Sequence, residues 1–297
     1  MARSLASALI LASACALIGV FVILRRMVFL IDGIAHSAFS GGALAILMGF
    51  NPLLTIGLFS ITSALSIGII QEKGKLNNET AIGIIFSFTM ALGIIFIGLI
   101  RTYTTGVQSL LFGNITSIDE VEFAIIIIMS ISIMLLMLFL KQKFFFMTFN
   151  EELARAYGLP VRLLSYGFLI IISLVIVVCL KAVGVILQIA LIVTPAACAY
   201  QLTYNSNKMI LFALIIALIG AFLGVMLGYI LEIAASASTI AVLTGIFMIC
   251  MVASPKRRHK RSVLDERLCV ECQKAKASTE ACEFCADEQM KGVPASS

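Results

Sequence analysis

Ala124–Leu140 reads AIIIIMSISIMLLMLFL, a run with no charged residue and no alternation of apolar and polar positions. A transmembrane β-strand would alternate over about ten residues, so only a helix fits. Working outward, similar apolar blocks occupy 5–24, 27–50, 53–71, 79–100, 120–140, 163–181, 183–203, 208–231 and 234–253. Each is long enough for a helix to cross a hydrocarbon core of roughly 30 Å. The first block taken alone has the length of a signal peptide, and the blocks behind it decide in favour of a span. The pattern predicts an all-α, polytopic helical membrane protein with nine transmembrane helices. Composition agrees: 61% of the residues are hydrophobic and 12% charged, against about 25% charged in a soluble domain, which excludes a water-soluble globular protein.

The formal charge of +5 is explained by membrane orientation rather than by a nucleic-acid partner, because cytoplasmic loops retain Lys and Arg. With the segment 141–162 placed inside, the inner loops hold Arg25, Arg26, Lys73, Lys75, Lys141, Lys143, Arg155, Arg162 and Lys208. The run Lys256, Arg257, Arg258, Lys260, Arg261 follows the last span, and only Arg3, Arg101 and Lys181 fall outside. The N-terminus is therefore expected outside and the C-terminus inside.

Composition changes at Ser254, dividing a transmembrane domain, 1–253, from a basic juxtamembrane run and Cys-rich cytosolic tail, 254–297. The tail holds four of the eight cysteines, as Cys269-x2-Cys272 and Cys282-x2-Cys285. Two such hooks can offer the four thiolates of a structural zinc site. An unmetallated tail and iron–sulfur or redox chemistry are the alternatives, and a cytosolic address argues against stable disulfides. Cys15, Cys179, Cys198 and Cys250 lie in spans at no metal-ligand spacing and read as packing residues.

Ionisable residues are costly in lipid and mark functional candidates. Asp32 and His36 stand four apart inside the second span, on one helix face and about 6 Å apart along the axis. A carboxylate and an imidazole so placed can bind a divalent transition metal. The plainer reading is that Asp32 orients and partly neutralises His36 with no ligand. Glu232 and Lys181 sit at span ends, where they can snorkel. Ser37, Ser40, Gly41 and Gly42 follow the pair, and small residues either let helices approach closely or let one break along a cavity. Pro195 is expected to bend its span, and Gln188 to face protein or a pore. No phosphate-binding loop and no His-Glu-x-x-His motif occur, and the two histidines are His36 and His259. ATP hydrolysis by this chain and a multi-histidine zinc enzyme are thus excluded, which favours a transporter over an enzyme.

Over residues 10–250 the chain resembles the membrane permeases of ATP-binding-cassette importers for zinc, manganese and iron. The resemblance rests on Gly19-Val20-Phe21-Val22-Ile23-Leu24-Arg25-Arg26, Asp32-Gly33-Ile34-Ala35-His36-Ser37, Ser109-Leu110-Leu111-Phe112-Gly113, and Val183-Gly184-Val185-Ile186-Leu187 leading to Pro195-Ala196-Ala197. It implies that Asp32 and His36 lie on the metal path and bind the ion transiently. It also implies that Asn150-Glu151-Glu152-Leu153-Ala154-Arg155-Ala156-Tyr157-Gly158 is a coupling segment that docks on the ATPase, with Glu151, Glu152, Ala154 and Gly158 as its marker residues. Asn150 is suited to cap that helix and Gly158 to end it before Pro160. Gln188 and the Cys-rich tail depart from the family pattern. The implied setting is the bacterial cytoplasmic membrane, as a homodimer in the lipid bilayer, with cytosolic ATP-binding subunits and an extracytoplasmic metal-binding protein. No cofactor is required beyond the possible tail zinc. Two alternatives stand beside it. One is a secondary metal transporter driven by an ion gradient with Asp32 as its proton site, the other an assembly or sensing protein whose tail does the work.

Overall fold

The computed structural model describes residues 2–74, 77–100, 111, 113, 120–149 and 151–254. They form helices α1 (Ala2–Leu24), α2 (Val28–Met48), α3 (Pro52–Gly74), α4 (Asn78–Leu99), α5 (Glu120–Phe149), α6 (Glu151–Ala156), α7 (Val161–Val183), α8 (Val185–Leu202), α9 (Ser206–Ile230) and α10 (Ala235–Ala253). Among the described residues nine of these, all but α6, are long and apolar enough to cross a membrane. Residues Met1–Met251 make one compact unit, separate from Val252–Ser297. The four tail cysteines, the basic run from Lys256 and His259 lie outside the described residues.

Two groups of helices share α7. On one side α2 packs against α3 and α4; on the other α1 packs against α5, α8 and α9, and α7 touches members of both. Its Ser173 hydroxyl donates to Ser60 O of α3 at 3.3 Å. Burial follows this plan: α1, α2 and α7 are mostly enclosed, while α4 and α10 turn most of their length outward. The outward side chains are large and apolar, including Leu54, Phe88, Ile128, Phe139 and Ile249. Water would penalise that surface, whereas lipid tails match it.

One expected boundary moves. The segment 141–162 is not a loop from its start, because α5 continues through Lys141 and Lys143 to Phe149. Lysine is a good helix former and can carry its charge to the interface while its stem stays apolar. Phe144 and Met147, both almost fully buried, give the added turns a face to pack. The small residues of α2 serve close packing, not a break: the helix is continuous from Val28 to Met48. A Cβ at Gly41 would come within 2.8 Å of Thr55 O and 2.9 Å of Phe59 Cβ on α3, so only glycine admits this approach. Pro195 sits inside a continuous α8.

Candidate metal path and coupling segment

The chain between α1 and α2 is a three-residue turn. Met27 N–H bonds Val22 O at 3.0 Å and Arg26 N–H bonds Ile23 O at 3.1 Å, with Arg26 in the left-handed region at φ 57°. α2 therefore starts at Val28 and brings Asp32 and His36 onto one face a turn later. Their flanking residues Ile31, Gly33, Ile34, Ala35 and Ser37 are buried, while the pair is not. Asp32 is 41% exposed and His36 23%, so both can be reached by an ion. The two meet at 3.5 Å, His36 Nε2 to Asp32 Oδ1.

That gap is informative. Metal–nitrogen and metal–carboxylate bonds of about 2.0–2.2 Å at a tetrahedral angle put the two donor atoms about 3.4 Å apart. The pair is thus spaced to share a cation without rearranging α2. The imidazole is held from the side, its ring edge-on to Phe86 of α4 at 5.0 Å between centroids. Its Nδ1 is buried and has no hydrogen-bond partner. Below the pair, Ser37 donates to Phe59 O at 2.9 Å and Ser40 to Thr89 O at 2.6 Å. These bonds fasten α2 to α3 and α4 beside the two donors. Among the described residues no group of three or more His, Cys, Asp or Glu could hold a metal. The arrangement brings together one carboxylate and one imidazole, the two donor types that suit a divalent first-row metal.

The second sequence-predicted site is α6. Glu151 and Glu152 stand in its first turn, where negative charge suits a helix start, and Arg155 in its last turn pairs with Glu151 at 2.6 Å. Gly158 ends it at φ 76°, a conformation glycine adopts without strain, and Leu159 N–H closes back on Ala154 O at 3.1 Å. Asn150 lies outside the described residues. Ala154 is fully buried against its own chain, whereas Leu153 and Tyr157 are 48% and 77% exposed. Ala154 thus packs within the chain's own fold, and Glu152, Leu153 and Tyr157 lie on the exposed side of α6. Tyr157 is steadied edge-on by Phe146 at 5.6 Å.

Beside α6 opens a cavity of about 350 Å³ lined by Arg25, Gln71, Glu72, Glu151, Arg155 and Arg162 among others. In the sequence Arg25, Arg155 and Arg162 count as loop charge, and Arg25 and Arg155 stand within family motifs, with no sign that the three meet. Arg162 pairs with Glu72 at 2.9 Å, and the Tyr166 hydroxyl donates to the same carboxylate at 2.9 Å. A second constellation the sequence could not announce is a thiol pair 164 residues apart: Cys15 and Cys179 Sγ atoms lie 3.3 Å from each other. Cys198 and Cys250 share a small cluster with Ile216. Gln188 is fully buried, and neither of its amide atoms meets a hydrogen-bond partner.

Comparison with known proteins gives a consistent result. The ABC 3 transport family pattern matches residues 1–254. The manganese transport system membrane protein MntC of Listeria innocua is 37% identical over 240 residues, covering 81% of this chain and 85% of its own. A probable iron transport system membrane protein of Haemophilus influenzae is 31% identical over 259 residues, covering 86% and 94%. The solved structure of PsaBC from Streptococcus pneumoniae in complex with Fab superposes with a TM-score of 0.78 at 30% identity, covering 87% of this chain and 93% of that one.

Proposed function

The chain belongs to the ABC 3 transport family, and from that premise we propose that it is the permease subunit of an ATP-driven importer that carries zinc, manganese or iron into the cytoplasm. The observation that carries the cargo is the Asp32–His36 pair, 3.5 Å apart and open on a membrane-spanning helix. Carboxylate and imidazole suit divalent first-row metals, and relatives named for manganese and iron transport support that class. Two donors leave the coordination incomplete, as a station on a path requires. Water, or the same pair from a second copy in a homodimer, supplies the rest.

ATP is hydrolysed on a separate cytosolic subunit, since this chain has no phosphate-binding loop. That subunit docks on the exposed face of α6, and an extracytoplasmic metal-binding protein delivers the ion on the opposite side. Arg25, Arg155 and Arg162 gather at the α6 end, which supports placing that end in the cytoplasm and hence the N-terminus outside and the C-terminus inside. The family assignment favours this reading over a carrier driven by an ion gradient, which has no use for a docking segment.

Reconstitution tests it. Proteoliposomes holding permease, ATPase and binding protein should hydrolyse ATP faster with one of manganese, zinc or iron(II) and accumulate that metal. Uptake that follows a proton gradient and needs no ATPase would replace the proposal with the gradient-driven carrier.

A further inference from the structure

Among the described residues the ion pairs around the α6 cavity leave one cation over. Arg155 is neutralised by Glu151 and Arg162 by Glu72. Arg25 lines the same cavity, yet no carboxylate lies within ion-pair distance of it among the described residues. Its guanidinium donates to the Ser165 hydroxyl at 3.3 Å and lies 5.2 Å from the centre of the Phe168 ring, both on α7. Burial pushes its pKa below the ordinary arginine value, and the field of Glu151 opposes that shift. A planar guanidinium can stack on a ring while donating from its edge, which an ammonium cannot do.

Arg25 also sits where three elements converge. Its backbone N–H bonds Phe21 O at 3.0 Å, at the start of the turn that launches α2. The Phe168 ring packs on Phe144 at 5.4 Å, and Phe144 on Phe21 at 5.9 Å, joining α7 to α5 and α1. α5 in turn leads into α6 across one residue.

We infer that Arg25 is a positioning residue that ties the coupling segment to the metal-carrying helix: anchored on Ser165 and Phe168 beside the cavity that Glu151 lines, it holds the turn from which Asp32 and His36 follow. This rests on the reading of α6 as the docking segment. A partly desolvated cation responds strongly to the nearest carboxylate, so displacement of Glu151 with α6 shifts the balance of forces on Arg25. α2 begins three residues later, and a tilt at its first turn is carried along a continuous helix to His36, about 12 Å further on.

The test uses the full complex in proteoliposomes with Arg25→Gln, Arg25→Lys, Glu151→Gln and the Arg25→Gln/Glu151→Gln double variant. The expected result for Arg25→Gln is ATPase co-purification at the wild-type ratio and a metal-dependent stimulation of ATP hydrolysis reduced about fivefold or more. The metal concentration giving half-maximal stimulation should stay where it is, since both donors, Asp32 and His36, remain and the loss is in transmission from α6. Glu151→Gln should reduce stimulation as well, and the double variant should be no worse than Arg25→Gln, because one link has been cut twice. Wild-type stimulation in Arg25→Gln, or additive losses in the double variant, overturns the proposal. Loss of the ATPase from Arg25→Gln also overturns it, by making Arg25 a docking determinant. If Arg25→Gln is not recovered from membranes, Arg25→Lys decides: it keeps the charge but not the fork, and undiminished stimulation in it refutes the role. The docking reading fails separately, if an acidic substitution at exposed Tyr157 leaves the ATPase bound.

Discussion

At the scale of single residues, an aspartate in a membrane helix carries a cost, about 2.5–3.5 kcal/mol at the helix centre on insertion scales and less near its ends, and Asp32 stands one turn into α2. Asp32 offsets part of that through His36 at 3.5 Å, yet neither side chain is closed off, and openness is what an ion path needs. Asp32→Asn keeps shape and volume while removing the charge, and His36→Ala removes the nitrogen donor. Each should lower metal uptake by more than about tenfold, the least expected when even a supporting partner of a metal ligand is lost, with the ATPase still bound. Metal accumulation in proteoliposomes measures this, and normal uptake by both variants would return the pair to the plainer reading, in which Asp32 merely orients His36. The pair was legible in the sequence because ionisable residues are scarce inside spans and a four-residue spacing fixes a shared face. The thiol contact of Cys15 with Cys179 and the partner set of Arg25 were not. Contacts 164 and 140 residues apart depend on which helices become neighbours, and one sequence carries no local sign of that.

Among the elements, spans were read where apolar runs are long and ends were misread where charge interrupts a helix without stopping it. Lys141 and Lys143 ended the fifth span on paper, whereas α5 runs on to Phe149 because Phe144 and Met147 have a core to enter. The glycines of α2 pose the opposite problem, since composition alone allows a break or a close approach. The 2.8 Å from a Cβ at position 41 to Thr55 O decides for approach. Gly41→Val should therefore force α2 from α3 and destabilise the permease by about 1–3 kcal/mol, the usual cost of overpacking. A lower midpoint of thermal aggregation in detergent reports it, and an unchanged midpoint would mean the two helices can part at no cost. For α6 the burial pattern separates seat from contact. Tyr157→Asp changes the exposed face and should abolish ATPase co-purification without lowering permease yield, whereas Ala154→Glu places a charge in the buried seat and should lower yield itself. Equal yields with equal ATPase loss in both would show that Ala154 faces the partner.

For the whole molecule, the family match covers residues 1–254 and the compact unit Met1–Met251, so a use for the residues beyond them is sought in their own chemistry. Between Ser254 and Ser297 there are too few apolar residues to fold by burial. The two Cys-x-x-Cys hooks, Cys269 with Cys272 and Cys282 with Cys285, offer metal binding as the alternative source of folding free energy. We propose that cytosolic zinc folds the tail and, with the C-terminus inside as proposed above, that the folded tail slows import. Purified full-length permease in reducing buffer should hold about one zinc per chain that a weak chelator does not strip, as expected of a four-thiolate site. The four-fold Cys→Ser variant should lack that zinc and show faster proteolysis within residues 255–297. Asp32 and His36 do not confound the count, because a two-donor site releases its ion to the chelator. In proteoliposomes loaded with zinc, wild-type import should slow while import by the Cys→Ser variant continues. No retained zinc in the wild type defeats the metal site, and equal slowing in both proteins defeats regulation while leaving the site intact.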